Sequence, residues 1–117
     1  PERVAAADEG LKYYGMAIER VPNNATLYRL KGELLFARNN DKPDAEVAAA
    51  YEKMLELLNE KPENRESQMA SYRAAYYILG IYYFDVDKAK AKTYLQDYLT
   101  IDPDNEDVKA LYDAIGE

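Results

Sequence analysis

Apolar residues recur along this chain every three or four positions, and proline and asparagine interrupt them at intervals. Such spacing places apolar side chains on one face of an α-helix, whereas a half-buried strand would show strict alternation. Pro disfavours helix immediately before it and suits the first helical turn, and Asn and Asp cap helix starts. The pattern therefore predicts an all-α fold, with helices over about residues 4–20, 25–38, 44–60, 65–84, 87–101 and 104–116.

One stretch carries a motif that spans two of these helices, with Tyr76, Leu79, Gly80, Tyr83, Ala91, Leu95 and Pro103. It resembles the tetratricopeptide repeat (TPR), a helix–turn–helix unit of about 34 residues with the pattern W-x2-L-G-x2-Y…A-x3-F…P. Tyr76 replaces the Trp, and Leu95 replaces the Phe. Tyr98 lies where the family prefers Ala, so its ring must tip outward or push the helices apart. The resemblance implies an α-solenoid of antiparallel helix hairpins, which is a binding scaffold.

The resemblance divides the chain into a half repeat, two repeats and a capping helix, over residues 1–22, 25–60, 65–103 and 104–116. The first full repeat is the weaker match, with Tyr28 and Gly32 at the Trp and Gly places. The half repeat depends on Gly10, Tyr14, Ala17 and Pro22. We expect a single TPR-like domain over 1–117. Because the chain starts at Pro1 without a Met, we also expect it to be a fragment of a larger protein.

The two repeats lie further apart than the family period allows. Tyr28 and Tyr76 are 48 residues apart, which is 14 more than the repeat length of about 34. Most of the excess lies between Tyr51 and Tyr76, where both flanking segments keep an apolar helical period. This pattern predicts that helices three and four lengthen into a protruding antiparallel tip. A structureless loop is the alternative.

The residue inventory argues against catalysis. The chain has no His and no Cys, so it lacks the commonest general base, the thiol nucleophile and the usual transition-metal ligands. We also expect no cofactor, because no glycine-rich phosphate loop is present. The sequence therefore predicts a protein that is not an enzyme.

An acidic run near the end of the chain resembles the opening of a calcium loop, with Asp102, Asp104, Glu106 and Asp107. A calcium-binding EF-hand loop needs Gly at its sixth position and Glu at its twelfth, and this chain has Asp107 and Asp113 there. The run also matches the turn between TPR units, with an Asp as the helix cap. We therefore expect a cap and no metal site.

The charge balance limits the partners. A net charge of −7, from 15 basic and 22 acidic residues, argues against nucleic acid, which needs a basic face. No segment approaches the roughly 20 apolar residues of a membrane-spanning helix, so we expect no direct membrane insertion. A protein or peptide partner is favoured. The cellular compartment is left open.

The resemblance also implies where that partner binds, because the first helix of each TPR unit lines a concave groove. The positions concerned give the candidate partner-binding groove Arg29, Glu33, Phe36, Tyr77, Ile81 and Phe84. Such a mostly apolar surface suits a polypeptide segment with apolar anchors. These rings could instead be covered by other parts of the parent protein.

The N-terminal edge is a second candidate interface. Because the half repeat lacks its first helix, Val4, Ala7 and Leu11 lose their cover, and an uncovered apolar stripe tends to find another surface. A homodimer through this edge is one expectation. It fits the alternative function, a structural spacer or oligomerisation module that has no ligand in the groove.

Overall fold

Residues 2–116 of the computed structural model form six α-helices, with side chains described for residues 6–63 and 65–116. The helices are α1 (Glu2–Arg20), α2 (Ala25–Arg38), α3 (Ala45–Asn59), α4 (Met69–Phe84), α5 (Lys88–Ile101) and α6 (Glu106–Ile115). No β-strand occurs within residues 2–116, so the all-α prediction is confirmed. Five of the six helices begin and end within about two residues of the predicted bounds.

Side-chain caps fix the starts of four helices. Asn24 and Asn105 accept hydrogen bonds from the backbone N–H groups of Leu27 and Val108, at 3.3 and 3.0 Å. Asp44 and Asp87 cap α3 and α5 in the same way. Each cap satisfies a backbone donor that the first helical turn leaves without a partner. The predicted Asp cap of α6 is therefore wrong, because Asn105 is the capping residue.

The connection between α3 and α4 differs from both sequence-based expectations. Two short 3₁₀ turns, Pro62–Asn64 and Glu66–Gln68, separate the helices, and α4 begins at Met69, about four residues later than predicted. The segment is neither a continued α-helix nor a structureless loop. The hydroxyl of Tyr72 donates to Oδ1 of Asn59 at 2.9 Å, which ties the start of α4 to the end of α3.

Each helix packs mainly against the helix before it and the helix after it in the chain. At three glycines, Gly10, Gly32 and Gly80, a side chain of the next helix lies where a Cβ atom would be. A Cβ built on Gly32 would lie 2.8 Å from the ring of Tyr51, and one on Gly80 would lie 2.6 Å from Leu95. The fully buried residues include Val47, Ala75, Leu79, Ala91, Leu95 and Val108.

A polar cluster around Glu52 joins α3, α4 and α5. The carboxylate of Glu52 accepts hydrogen bonds from the hydroxyls of Tyr83 and Tyr94, at 2.9 and 3.0 Å. Lys90 lies 3.4 Å from the same carboxylate and donates to the Tyr83 hydroxyl at 3.2 Å. The cluster therefore links the two hairpins on either side of the α3–α4 connection.

Replacing Glu52 by Gln should lower the free energy of unfolding by about 1 kcal/mol, because the charged acceptor of three donors is lost. Glu56→Gln is the matched control. Its only described partner is Lys53, on the exposed face of the same helix, so its effect should stay within about 0.5 kcal/mol. Urea unfolding of both variants measures the difference. Equal effects would show that the cluster adds nothing beyond an ordinary surface ion pair.

Candidate functional site

A cleft of about 400 Å³ lies where α4, α5 and the start of α6 meet. The residues that line it are Ala70, Arg73, Ala74, Tyr77, Tyr98, Asn105 and Asp107. Its wall on α4 comes from one helix face, because Ala70, Ala74 and Tyr77 follow the spacing i, i+4, i+7. The two alanines leave room beside α4, and Tyr77 limits that room at one end.

Two tyrosines form the aromatic wall of the cleft. The ring of Tyr77 is 37% exposed, and its centre lies 6.1 Å from that of Tyr98 at an angle of 52°. Tyr98 is buried, and its hydroxyl accepts a hydrogen bond from Nδ2 of Asn105 at 3.0 Å. Asn105 also caps α6, so a single side chain fixes both the Tyr98 ring and the start of α6. The wall is therefore held in place before any ligand binds.

Two free charges flank these rings. Arg73 on α4 and Asp107 on α6 are both exposed, and neither pairs with another side chain that the structure describes. A guanidinium group can only donate hydrogen bonds, whereas a carboxylate accepts them. The cleft therefore offers a donor on one helix and an acceptor on the other, with apolar surface between them.

The predicted groove residues on α2 are engaged within the protein. Nε of Arg29 lies 3.2 Å from the Glu33 carboxylate, and Nη1 of Arg29 donates to the Ser71 hydroxyl at 2.9 Å. Phe36 is half-buried against the core. The Arg29–Ser71 hydrogen bond ties α2 to α4, so Arg29 has a structural role in this part of the predicted groove.

Tyr51 lies beneath this pair of charges. Burial raises the pKa of its hydroxyl to about 12, the Glu33 carboxylate contributes to the rise, and the Arg29 guanidinium partly opposes it. The ring is only 3% exposed. The folded protein therefore keeps the Tyr51 proton to a higher pH than the unfolded chain does.

The predicted residues on α4 follow one face of that helix. Tyr77, Ile81 and Phe84 have the spacing i, i+4, i+7, so Ile81 and Phe84 continue the stripe that begins in the cleft. Both are half-buried, and the Lys88 ammonium lies 4.1 Å from the centre of the Phe84 ring. Of the six predicted groove residues, only Tyr77 lines the cleft.

Sequence reasoning missed Arg73, Tyr98, Asn105 and Asp107 as members of this site. It assigned the groove to α2 and α4 alone and treated α6 as a cover. The signal that could have found them is the recurrence of the Pro-x-Asn turn before both α2 and α6. Because the same turn precedes α2 and α6, α6 could have been counted with α2 and α4 among the helices expected to line a binding surface.

The side chains at the N-terminal edge are less exposed than the sequence predicts. Val4 lies in α1, but its side chain is outside the part that the structure describes. Ala7 is only 4% exposed, and Leu11 is half-buried and packed against the core. Among the described side chains of α1, the large apolar ones that are exposed are Tyr13 and Met16, at 61% and 49%.

A larger cavity of about 720 Å³ lies elsewhere, between the α1–α2 turn and the end of α3. Leu57 and Leu58 lie on one side of it, and the turn from Arg20 to Ala25 lies on the other. It contains no pair of aromatic rings and shares no lining residue with the cleft at α4 and α6. We therefore give priority to the smaller cleft.

Comparisons with protein-family models, with curated proteins and with solved structures each find no match to this chain. Among the described residues, no helix combines the length and the hydrophobicity that crossing a bilayer requires.

Proposed function

We propose that this chain is a non-catalytic protein-interaction module of TPR type that binds a polypeptide segment in the cleft between α4 and α6. The observation that carries the proposal is the exposed Tyr77 ring beside a preformed wall of Tyr98 and Asn105. Because this wall is already ordered, binding a partner costs less conformational entropy than it would if the wall had to become ordered first.

Two recurring features support a repeat architecture. The contact between a glycine and the facing helix occurs in both hairpins, as Gly32 with Tyr51 and as Gly80 with Leu95. The helices also pack mainly on their neighbours in the chain, which a solenoid of hairpins requires. Both features agree with the resemblance in the sequence.

The chemistry of the cleft suits an extended segment with one apolar anchor. The anchor would lie over Ala70 and Ala74 and against the Tyr77 ring, where it replaces water next to apolar surface. An extended backbone presents carbonyl oxygens and N–H groups in alternation. Arg73 can donate to such a carbonyl, and Asp107 can accept from such an N–H.

Peptide selection tests this proposal and identifies the preferred segment at the same time. A random peptide library is selected on the wild-type domain alone, and the selected peptides are then tested on the Tyr77→Ala variant. For the selected peptides we expect Tyr77→Ala to weaken binding by about 1–2 kcal/mol, which is roughly tenfold in Kd. Fluorescence anisotropy measures the affinities.

Tyr13→Ala is the matched control, because it removes an exposed tyrosine from α1, away from the cleft. It should leave peptide affinity unchanged, and the circular dichroism of both variants should match the wild type. Peptides that bind both variants equally well, or a library that yields no binder, would overturn the cleft as the site. The spacer function would then be preferred.

A further inference from the structure

The exposed face of α1 carries a regular stripe of four residues. Glu9, Tyr13, Met16 and Arg20 follow spacings of four, three and four, which place them on one side of a helix. The opposite side of α1 is covered, because Ala7 is only 4% exposed and Leu11 packs against the core. Between the two sides, a Cβ on Gly10 would lie 2.7 Å from Leu34 of α2. Asp8 pairs with Arg38 of α2 at 2.6 Å. The stripe therefore points away from the fold.

The charges on this stripe are ordered rather than scattered. The acid Glu9 lies at its N-terminal end, the base Arg20 lies at its C-terminal end, and the two exposed apolar residues lie between them. Lys12 and Glu19, one heptad apart, flank the same stripe with opposite signs. All four charged side chains are exposed, and none pairs with another described side chain.

We propose that this face binds a second copy of the chain, with the two α1 helices antiparallel about a twofold axis between Tyr13 and Met16. In that register Tyr13 of one chain faces Met16 of the other. Glu9 of one chain then faces Arg20 of the other, because these two residues lie at equal distances from the axis along the helix. Each contact occurs twice, as an isologous interface requires.

The flanking charges support the same register independently. In an antiparallel helix pair, the residues on one flank of a helix face the same flank of the partner helix. For Lys12 and Glu19 the two positions differ by about half a turn along the helix. Lys12 of one chain then lies beside Glu19 of the other. A parallel arrangement would place Glu9 beside Glu9 and Arg20 beside Arg20, and like charges at that distance repel. The charge order therefore favours the antiparallel dimer.

The expected dimer is weak. Helix α1 has 19 residues, so it is about 28 Å long, and one helix pair of that length buries less surface than the roughly 1,600 Å² of a standard interface. Exposed ion pairs contribute little each and are screened by salt. We expect association at high protein concentration that weakens as the ionic strength rises.

Sedimentation equilibrium from micromolar to millimolar concentration tests the interface. The apparent mass should rise from the chain mass of 13.4 kDa toward twice that value, and Met16→Glu should abolish the rise. Met16 is half exposed, so this change should not unfold the chain. Asp113→Arg, an exposed charge reversal on α6, should leave the association unchanged.

Charge reversal then tests the register. Glu9→Arg alone places Arg opposite Arg, and Arg20→Glu alone places Glu opposite Glu, so each variant should be monomeric. An equimolar mixture of the two should form a heterodimer, because every facing pair is again of opposite sign. A wild-type chain that stays monomeric throughout, or a dimer that Met16→Glu does not affect, would overturn the proposal. A dimer whose two single variants associate as well as the wild type would overturn the antiparallel register, because a parallel pair already places like charges together in the wild type.

These experiments distinguish a failure of the cleft proposal from a failure of the dimer proposal. Tyr77→Ala should weaken peptide binding and leave the association intact, whereas Met16→Glu should do the reverse. Loss of both properties in either variant would indicate a folding defect, which circular dichroism detects. The inference on α1 does not depend on the function proposed for the cleft.

Discussion

Gly80→Ala should lower the free energy of unfolding by about 2 kcal/mol, although alanine is the better helix former by about 1 kcal/mol. The added methyl group would lie 2.6 Å from Cδ2 and 2.9 Å from Cγ of Leu95. Leu95 has no exposed surface, so it cannot move aside into solvent. The clash must instead separate α4 from α5, which form the most extensive helix pair in the fold.

Gly15→Ala is the control, because Gly15 also lies inside a helix but has no neighbour within 4 Å of a built Cβ. There only the helix propensity acts, and the free energy of unfolding should rise by about 1 kcal/mol. Urea unfolding of the two variants should therefore give opposite signs. Stabilisation by both substitutions would mean that α4 and α5 are not so closely packed at Gly80.

A double-mutant cycle with Leu95→Ala isolates the contact. Leu95→Ala alone should cost about 3 kcal/mol, as expected for a fully buried leucine. It also removes the atoms that the new methyl group would meet. In that background Gly80→Ala should no longer destabilise the protein, so the two effects should be strongly non-additive.

The helix bounds could be predicted from the sequence because local chemistry sets them. The asparagines and aspartates that cap α2, α3, α5 and α6 act within their own first turns. The start of α4 could not be placed in this way. Residues 61–63 and 65–67 are exposed, so no buried apolar side chain among them fixes an α-helix, and the 3₁₀ turns Pro62–Asn64 and Glu66–Gln68 form there instead.

The candidate site was harder to predict because it depends on contacts between elements. The sequence led us to expect that the Tyr98 ring tips outward or pushes the helices apart. The ring does not tip outward: it is buried, because the amide of Asn105 bonds its hydroxyl and the Tyr77 ring lies beside it. The predicted phase of α1 is likewise wrong at Ala7, which is covered. An apolar period locates a helix face but does not identify its neighbour.

Alkaline pH should destabilise this protein strongly above about pH 10. Burial raises the pKa of Tyr51 to about 12, whereas tyrosine in an unfolded chain titrates near 10. Burial is also the main cause of the raised pKa of Tyr76, Tyr83 and Tyr94. Between these values the unfolded chain has lost the protons that the folded chain keeps, so the free energy of unfolding falls as the pH rises.

Tyr51→Phe should remove the part of this decrease in the free energy of unfolding that the ionisation of Tyr51 causes. The shift for Tyr51 corresponds by linkage to at most about 3 kcal/mol, reached when the pH approaches 12. Below pH 10 that contribution is fully present. The stability of Tyr51→Phe relative to the wild type should therefore improve across this window, as urea unfolding at successive pH values would measure.

Tyr13→Phe is the control for this pH series, because the Tyr13 ring is 61% exposed and the substitution removes no buried hydroxyl. Its curve of stability against pH should run parallel to that of the wild type. A parallel curve for Tyr51→Phe as well would mean that water reaches the Tyr51 hydroxyl. The Tyr51 ring would then have to lie less closely against Gly32 than the structure shows, where a built Cβ would be only 2.8 Å from the ring. The titration therefore tests the packing between α2 and α3 by a route independent of any substitution at the glycine itself.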